Sequence, residues 1–249
     1  MEEKMIRALT IAGFDGSAGA GVLADIKAMA YFGVYGEAVC TALTEQNSME
    51  FLKPGWVIWD RIEAQLETLY REYSFKFVKI GLVKSAKVLG KIVDYIRAKA
   101  PDAFIVWDPV ASATAGFNFL RDVEKDAFMP VMKKIDLVTP NQDEFAFLGL
   151  GLSACRGEVE LGQDFALLLK GGHAAGKDSV DTLWYGNKQY KFASPRIPGS
   201  GKHGTGCNLS SAILANVALG KSLPEACQAA KDYMDKFLVS GEGRLGFLK

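Results

Sequence analysis

Histidine and cysteine are scarce in this chain, with two of the first, His173 and His203, and four of the second, Cys40, Cys155, Cys207 and Cys227. No CxxC pair occurs, so nothing in the spacing suggests a zinc site or a dithiol redox motif. Free thiols are the expectation, and packing is the plain reading of each one. Net charge is also missing, because 29 Lys and Arg balance 29 Asp and Glu. No basic stripe points to nucleic acid, and no polybasic or amphipathic anchor points to a membrane. No apolar run is long enough to span a bilayer, and the opening MEEKMIRALTIAG carries too short an apolar stretch for a signal peptide. A cytoplasmic location is expected. Linkers, internal repeats and low-complexity segments are absent, so residues 1–249 read as one domain.

What is present is alternation. Ala8–Ala12, Ala38–Leu43, Phe75–Ile80, Phe104–Trp107, Asp136–Thr139 and Phe165–Lys170 read as short buried strands. Helical spacing separates several of them, over 18–32, 58–73 and beyond Ser85, which is placed to cap. Val180–Tyr185 and Gln189–Ala193 flank Gly186-Asn187 and predict a hairpin. Two helices follow, one from near Thr205 and one from the capping-box spacing Ser222 to Glu225. This pattern predicts an α/β fold, a central mainly parallel β-sheet with helices on both faces. In such sheets ligands bind beyond the carboxyl ends of the strands, so the residues just after each strand carry the chemistry.

Two glycine patterns invite a different reading. Gly19-Ala-Gly21-Val-Leu-Ala24 fits a dinucleotide fingerprint, but residues 13–18 separate it from the strand where a tight turn is required. Gly199-Ser-Gly201-Lys202-His203-Gly204 fits neither a second dinucleotide unit nor a P-loop, since His203 stands where Ser or Thr belongs.

Gly204-Thr205-Gly206-Cys207 opens a predicted helix. The first amides of a helix lack intrahelical partners, and the dipole adds positive potential there. Glycines let an anion approach, which makes this a phosphate or oxyanion hole or, more plainly, a tight turn into a helix. The same potential predicts a lowered pKa for Cys207 and a thiolate that can accept a proton. Asp108 and Glu144 are candidate Mg²⁺-shell carboxylates and Lys170 a candidate phosphate contact; each is otherwise a cap, a solvated carboxylate or a strand-end lysine. Gln46, at the end of a strand, has both a donor and an acceptor for a heteroaromatic ring.

Seven motifs, in order ALTIAGFDGSAGAGVLADIKAMAYFGVYG, TALTEQNS, KIGLV, WDPV, VTPNQDE, LLKGGH and HGTGC, span nearly the whole chain. Together they resemble the hydroxymethylpyrimidine/phosphomethylpyrimidine kinases, thiamine-pathway members of the ribokinase-like superfamily. The resemblance implies a ribokinase-like fold, usually homodimeric. It also implies ATP- and Mg²⁺-dependent phosphorylation of 4-amino-5-hydroxymethyl-2-methylpyrimidine, often followed by phosphorylation of its monophosphate. By position, Gly13, Asp25 and Gln46 match the pyrimidine-binding residues, with the GLV loop stacked near the ring. Asn141 and Glu144 match the nucleotide and Mg²⁺ region, Lys170 the ATP side, and Gly204, Gly206 and Cys207 the anion hole and catalytic cysteine. The chain departs from the pattern at DPVASATAG, where Thr114 replaces a lysine, and at Gly201-Lys202, where Lys202 is a candidate replacement cation on the nucleotide side. Two other functions fit the same residues: a pyridoxine/pyridoxal kinase acting on a similar ring alcohol, and a non-catalytic pyrimidine-binding regulatory protein.

Overall fold

A computed structural model describes residues 5–111, 119, 125–155, 160–172, 176–197 and 201–248. Thr114 and His173 lie outside the described residues. In chain order the elements are β1 (Arg7–Phe14), α1 (Gly21–Tyr31), β2 (Tyr35–Gln46), β3 (Phe51–Trp56), α2 (Trp59–Glu72) and β4 (Phe77–Ile80). Next come α3 (Ala86–Lys99), β5 (Phe104–Trp107), α4 (Met129–Met132), β6 (Leu137–Val138), α5 (Gln142–Phe147) and α6 (Leu150–Cys155). The last are β7 (Ala166–Leu169), β8 (Asp178–Tyr185), β9 (Lys188–Pro195), α7 (Thr205–Ala218) and α8 (Leu223–Val239).

All nine strands form one sheet in the order β3-β2-β1-β4-β5-β6-β7-β8-β9. The inner strands from β2 to β7 pair in parallel, while β3 and the β8–β9 hairpin add antiparallel edges. Alternate residues of the inner strands supply two cores, as a sheet covered on both faces requires. Leu9, Ile11, Val78, Ile80, Ile105 and Trp107 pack with α2 and α3. Ala8, Val106, Leu137 and Leu168 pack on the other side with α1, α7 and α8.

Local signals act as the sequence predicts. Ser85 Oγ accepts from Val88 N at the start of α3. Glu225 accepts from both the backbone and the hydroxyl of Ser222 at the start of α8. Gly186 and Asn187 have φ of 57° and 62°, the pair of positive values that a two-residue hairpin turn needs. Two features correct the sequence reading. β3 is an added edge strand, and its Pro54 is tolerated because an edge has a free side. The helix expected from Ala18 starts at Gly21, because Ala18 (φ 55°) and Gly21 (φ 61°) are both left-handed and break helical continuity before it. Residues 15–20 therefore separate β1 from α1, which rules out the tight turn of a dinucleotide site.

Candidate active site

The strand order reverses at β1, which has β2 on one side and β4 on the other. Such a switch point opens a crevice beyond the carboxyl ends of the strands. Gly13 sits there, at a register shift between β1 and β2. A Cβ at Gly13 would stand 3.2 Å from Leu82 Cδ2 and 3.6 Å from Thr44 Cγ2. Thr44 Oγ1 donates to Phe14 O (2.7 Å) and accepts from Gln46 Nε2 (2.7 Å). The expected alcohol-side residues Gly13 and Gln46 and the GLV loop are thus brought together.

Asp25 is placed differently. The alternation that turns Val78 and Ile80 toward α2 and α3 turns Lys79 toward α1 and α7. Its Nζ lies 2.9 Å from both oxygens of Asp25, which also accepts from Thr10 Oγ1 (2.5 Å) and Ser211 Oγ (2.9 Å). Both charged side chains are wholly buried. Burial opposes the Lys79 charge, but Asp25, Cys207 and Asp108 outweigh it and raise its pKa. Asp25 therefore lies beneath the crevice with both oxygens engaged, and it presents no free acceptor to a ring.

A second charged group lies beside the first. Asp108, just past β5, accepts from Thr139 Oγ1 (3.0 Å) and from Lys170 Nζ (2.7 Å). Glu144 Oε2 is 3.6 Å from the same ammonium. Burial pushes the Asp108 carboxyl up, but Lys170 and Lys79 overcome it and hold the pKa below the usual value. Glu144 is shifted up, first by burial and then by Asp108, against the pull of Lys170. Asn141 does not point freely into the nucleotide side. It caps α5, accepting from Glu144 N (2.8 Å) while Glu144 Oε2 accepts from Asn141 N (2.8 Å). That capping box is what aims Glu144 at Lys170.

The amide end of α7 faces this pair. Gly204 adopts φ 72°, and a Cβ on it would lie 2.0 Å from Gly19 O. A Cβ on Gly206 would lie 3.2 Å from both Asp108 Oδ2 and Lys170 Nζ. Thr205 and Gly206 remain half-buried, while Cys207 is 9% exposed. The lowered pKa expected for Cys207 is not found. Burial pushes the thiol up to about 11, with Asp25 and Asp108 adding to the rise and Lys79 and the Gly21 amide opposing it. Removing water from the sulfur outweighs the pull of the Lys79 ammonium and the Gly21 amide.

Lys202 also departs from expectation. Its Nζ donates to Gly243 O (2.8 Å) and Leu245 O (3.1 Å), so it fastens the segment after α8 instead of reaching into the phosphate side. Lys79, Thr139 and Ser211 join the site unforeseen. For Lys79 a signal existed: a lone lysine inside the apolar strand Phe77–Ile80 must find a buried partner.

Among the described residues no group of three or more His, Cys, Asp or Glu side chains could cage a metal ion. Mg²⁺ needs no such cage, since one or two carboxylates with substrate phosphates usually suffice. Asp108 and Glu144 already converge on one cationic head, so their donor chemistry fits.

The phosphomethylpyrimidine kinase family profile matches residues 15–244. A hydroxymethylpyrimidine/phosphomethylpyrimidine kinase of Aquifex aeolicus is 36% identical over 250 residues, spanning 94% of this chain and 95% of that one. The phosphomethylpyrimidine kinase structure from Clostridium difficile matches with a TM-score of 0.72 at 31% identity, over 92% of this chain and 98% of its own. The pyridoxal kinase of Staphylococcus aureus in complex with ADP matches with a TM-score of 0.81 at 26% identity, over 96% and 90%.

Proposed function

This chain belongs to the phosphomethylpyrimidine kinase family, and from that membership we propose how its residues carry out the phosphorylation. The reaction is transfer of the terminal phosphoryl group of ATP to the hydroxymethyl oxygen of 4-amino-5-hydroxymethyl-2-methylpyrimidine, and then to the resulting monophosphate. In the first transfer a bond forms between the alcohol oxygen and phosphorus as the bond to ADP breaks, and the hydroxyl proton passes to a phosphate oxygen and on to water; in the second the attacking atom is a phosphate oxygen of the monophosphate, and ADP again leaves.

One observation carries the assignment of roles: Lys170 lies between Asp108 and Glu144, directly against Gly206 at the amide end of α7. A cation, two carboxylates and unpaired amides are the parts that phosphoryl transfer requires, since catalysis there is mostly positioning and charge neutralisation. Lys170 binds phosphate oxygens. The amides from Gly204 to Cys207 receive charge on the transferring group. Asp108 and Glu144 would hold Mg²⁺, which would neutralise phosphate charge. Asn141 acts through Glu144 by fixing its orientation. Gln46 orients the ring, and Gly13 keeps the backbone open beside it. Asp25 acts from below, holding Lys79 charged beneath Cys207. Cys207 stands beside the reacting hydroxyl as a protonated thiol, and a loose transition state makes little demand on a base. Exposed Leu43 on β2, Leu52 on β3 and Met49 in the turn between them support pairing of two copies in a homodimer.

A second reading, a pyridoxal kinase, is favoured by the TM-score of 0.81 to an enzyme of that name. A coupled assay for ADP release, with product identification, separates the two. The expected result is the highest kcat/KM on hydroxymethylpyrimidine; a higher value on pyridoxal would reassign the substrate, and no turnover of either would overturn the proposal.

A further inference from the structure

Two loops are pressed together next to the reacting groups. One loop is residues 15–20, between β1 and α1; the other is the approach to α7. A Cβ on Gly204 would stand 2.0 Å from Gly19 O, and one on Gly19 would stand 2.4 Å from His203 Cδ2. The backbones touch with no room for a side chain between them. A polar bridge spans the contact: His203 Nε2 lies 2.8 Å from Asp15 Oδ2, with His203 6% exposed and Asp15 fully buried.

Asp15 organises its own loop as well. Its carboxylate accepts from Ser17 N, Ser17 Oγ and Ala20 N, each at 2.9 Å. These bonds hold Ala18 in its left-handed conformation, a cost that a loop bears only when its surroundings fix it. On the other side, His203 N donates to Arg244 O (2.8 Å), so the imidazole is fixed at both its backbone and its ring. Asp15 follows the alcohol-side Gly13 by two residues, and His203 directly precedes the first residue of the anion hole.

We propose that His203, acting through Asp15, is a positioning residue that sets the separation between the alcohol-side loop and the amides of α7, and so decides whether the phosphoryl group meets the alcohol or water. The proposal rests on the kinase reading above. Displacements of about 1 Å between reacting groups can cost about 100-fold in rate. Among the described residues Asp15 and His203 share no hydrogen bond or ion pair with Lys170, Asp108 or Glu144, so the KM for ATP is expected to hold.

The test compares His203→Leu and His203→Gln in ring-alcohol turnover, measuring ADP and phosphorylated alcohol separately. His203→Leu lowers kcat by about 10–100-fold with the KM for ATP retained, and ADP formed per phosphorylated alcohol rises above one. His203→Gln keeps a donor near the position of Nε2 and restores most of the rate and the coupling. If His203→Leu does not fold, His203→Asn takes its place, with an amide too short to reach Asp15. Native kcat and native coupling in the shortened or apolar variant would overturn the inference, as would a His203→Gln enzyme no better than that variant. A native chain inert to every ring alcohol would overturn the kinase reading and this inference together, whereas an active native chain with unaffected variants would overturn this inference alone.

Discussion

Both carboxylate oxygens of Asp25 lie 2.9 Å from the Lys79 ammonium, and neither side chain has any exposed surface. Such a pair adds little net stability, yet it is costly to break, because the surviving charge has no solvent to turn to. Lys79→Met should therefore lower the free energy of unfolding by about 3–5 kcal/mol, read from urea denaturation. The double variant Lys79→Met with Asp25→Asn should recover part of that loss. A single variant as stable as the native chain would show that the buried pair is not what the fold depends on.

The second prediction concerns Cys207. With its thiol pushed up to about 11, only a small fraction is thiolate at neutral pH. Its alkylation by iodoacetamide, followed by peptide mass spectrometry, should rise about tenfold per pH unit from pH 7 to 9 without levelling. A plateau near neutrality would restore the activated thiolate. The linkage sign follows from the same shift. As pH rises past the ordinary cysteine value the unfolded chain loses this proton first, so Cys207 lowers stability progressively up to about pH 11.

The two glycines of the proposed anion hole should fail in different ways. Gly204→Ala combines a positive φ with a backbone oxygen 2.0 Å from the new methyl group, so the chain should be destabilised by well over 1 kcal/mol and melt early. Gly206→Ala meets only the ends of Asp108 and Lys170, at 3.2 Å. It should fold with nearly native thermal stability and lose about 10–100-fold in kcat, because the methyl displaces the charged pair. Equal melting temperatures for the two variants would contradict this contrast.

Lys202→Ala should leave the KM for ATP unchanged, because its ammonium is bound to the carbonyls of Gly243 and Leu245. Hydrogen exchange should quicken in residues 242–248 instead. A large rise in the KM for ATP with unchanged exchange would return Lys202 to the nucleotide side.

The strands around the site were legible in the sequence because doubly covered parallel strands appear as short apolar runs ended by Gly, Pro or Asp. Phe104–Trp107 ahead of Asp108-Pro109 is found with the bounds expected of it. β3 was not legible, since Lys53 and Pro54 carry no strand pattern and its pairing with β2 comes from tertiary contact. The residues Asp108, Glu144, Lys170, Gly206 and Cys207 stand out from position alone, each just after a strand or at a helix start. Their partners do not. Which acid Lys79 meets depends on how α1 and α7 pack, and the direction of the Cys207 shift depends on how much water the fold removes. A helix-start thiol therefore suggested the wrong sign.

The bridge between Asp15 and His203 joins residues 188 positions apart, and the bond from Ser211 to Asp25 spans 186. Contacts of that separation carry a large loop-closure cost and form late. A growing chain that has made β1, α1 and most of the sheet still lacks the amides of α7 and the support beneath Cys207. The ability to move phosphate then arrives in one step, after the sheet that carries it.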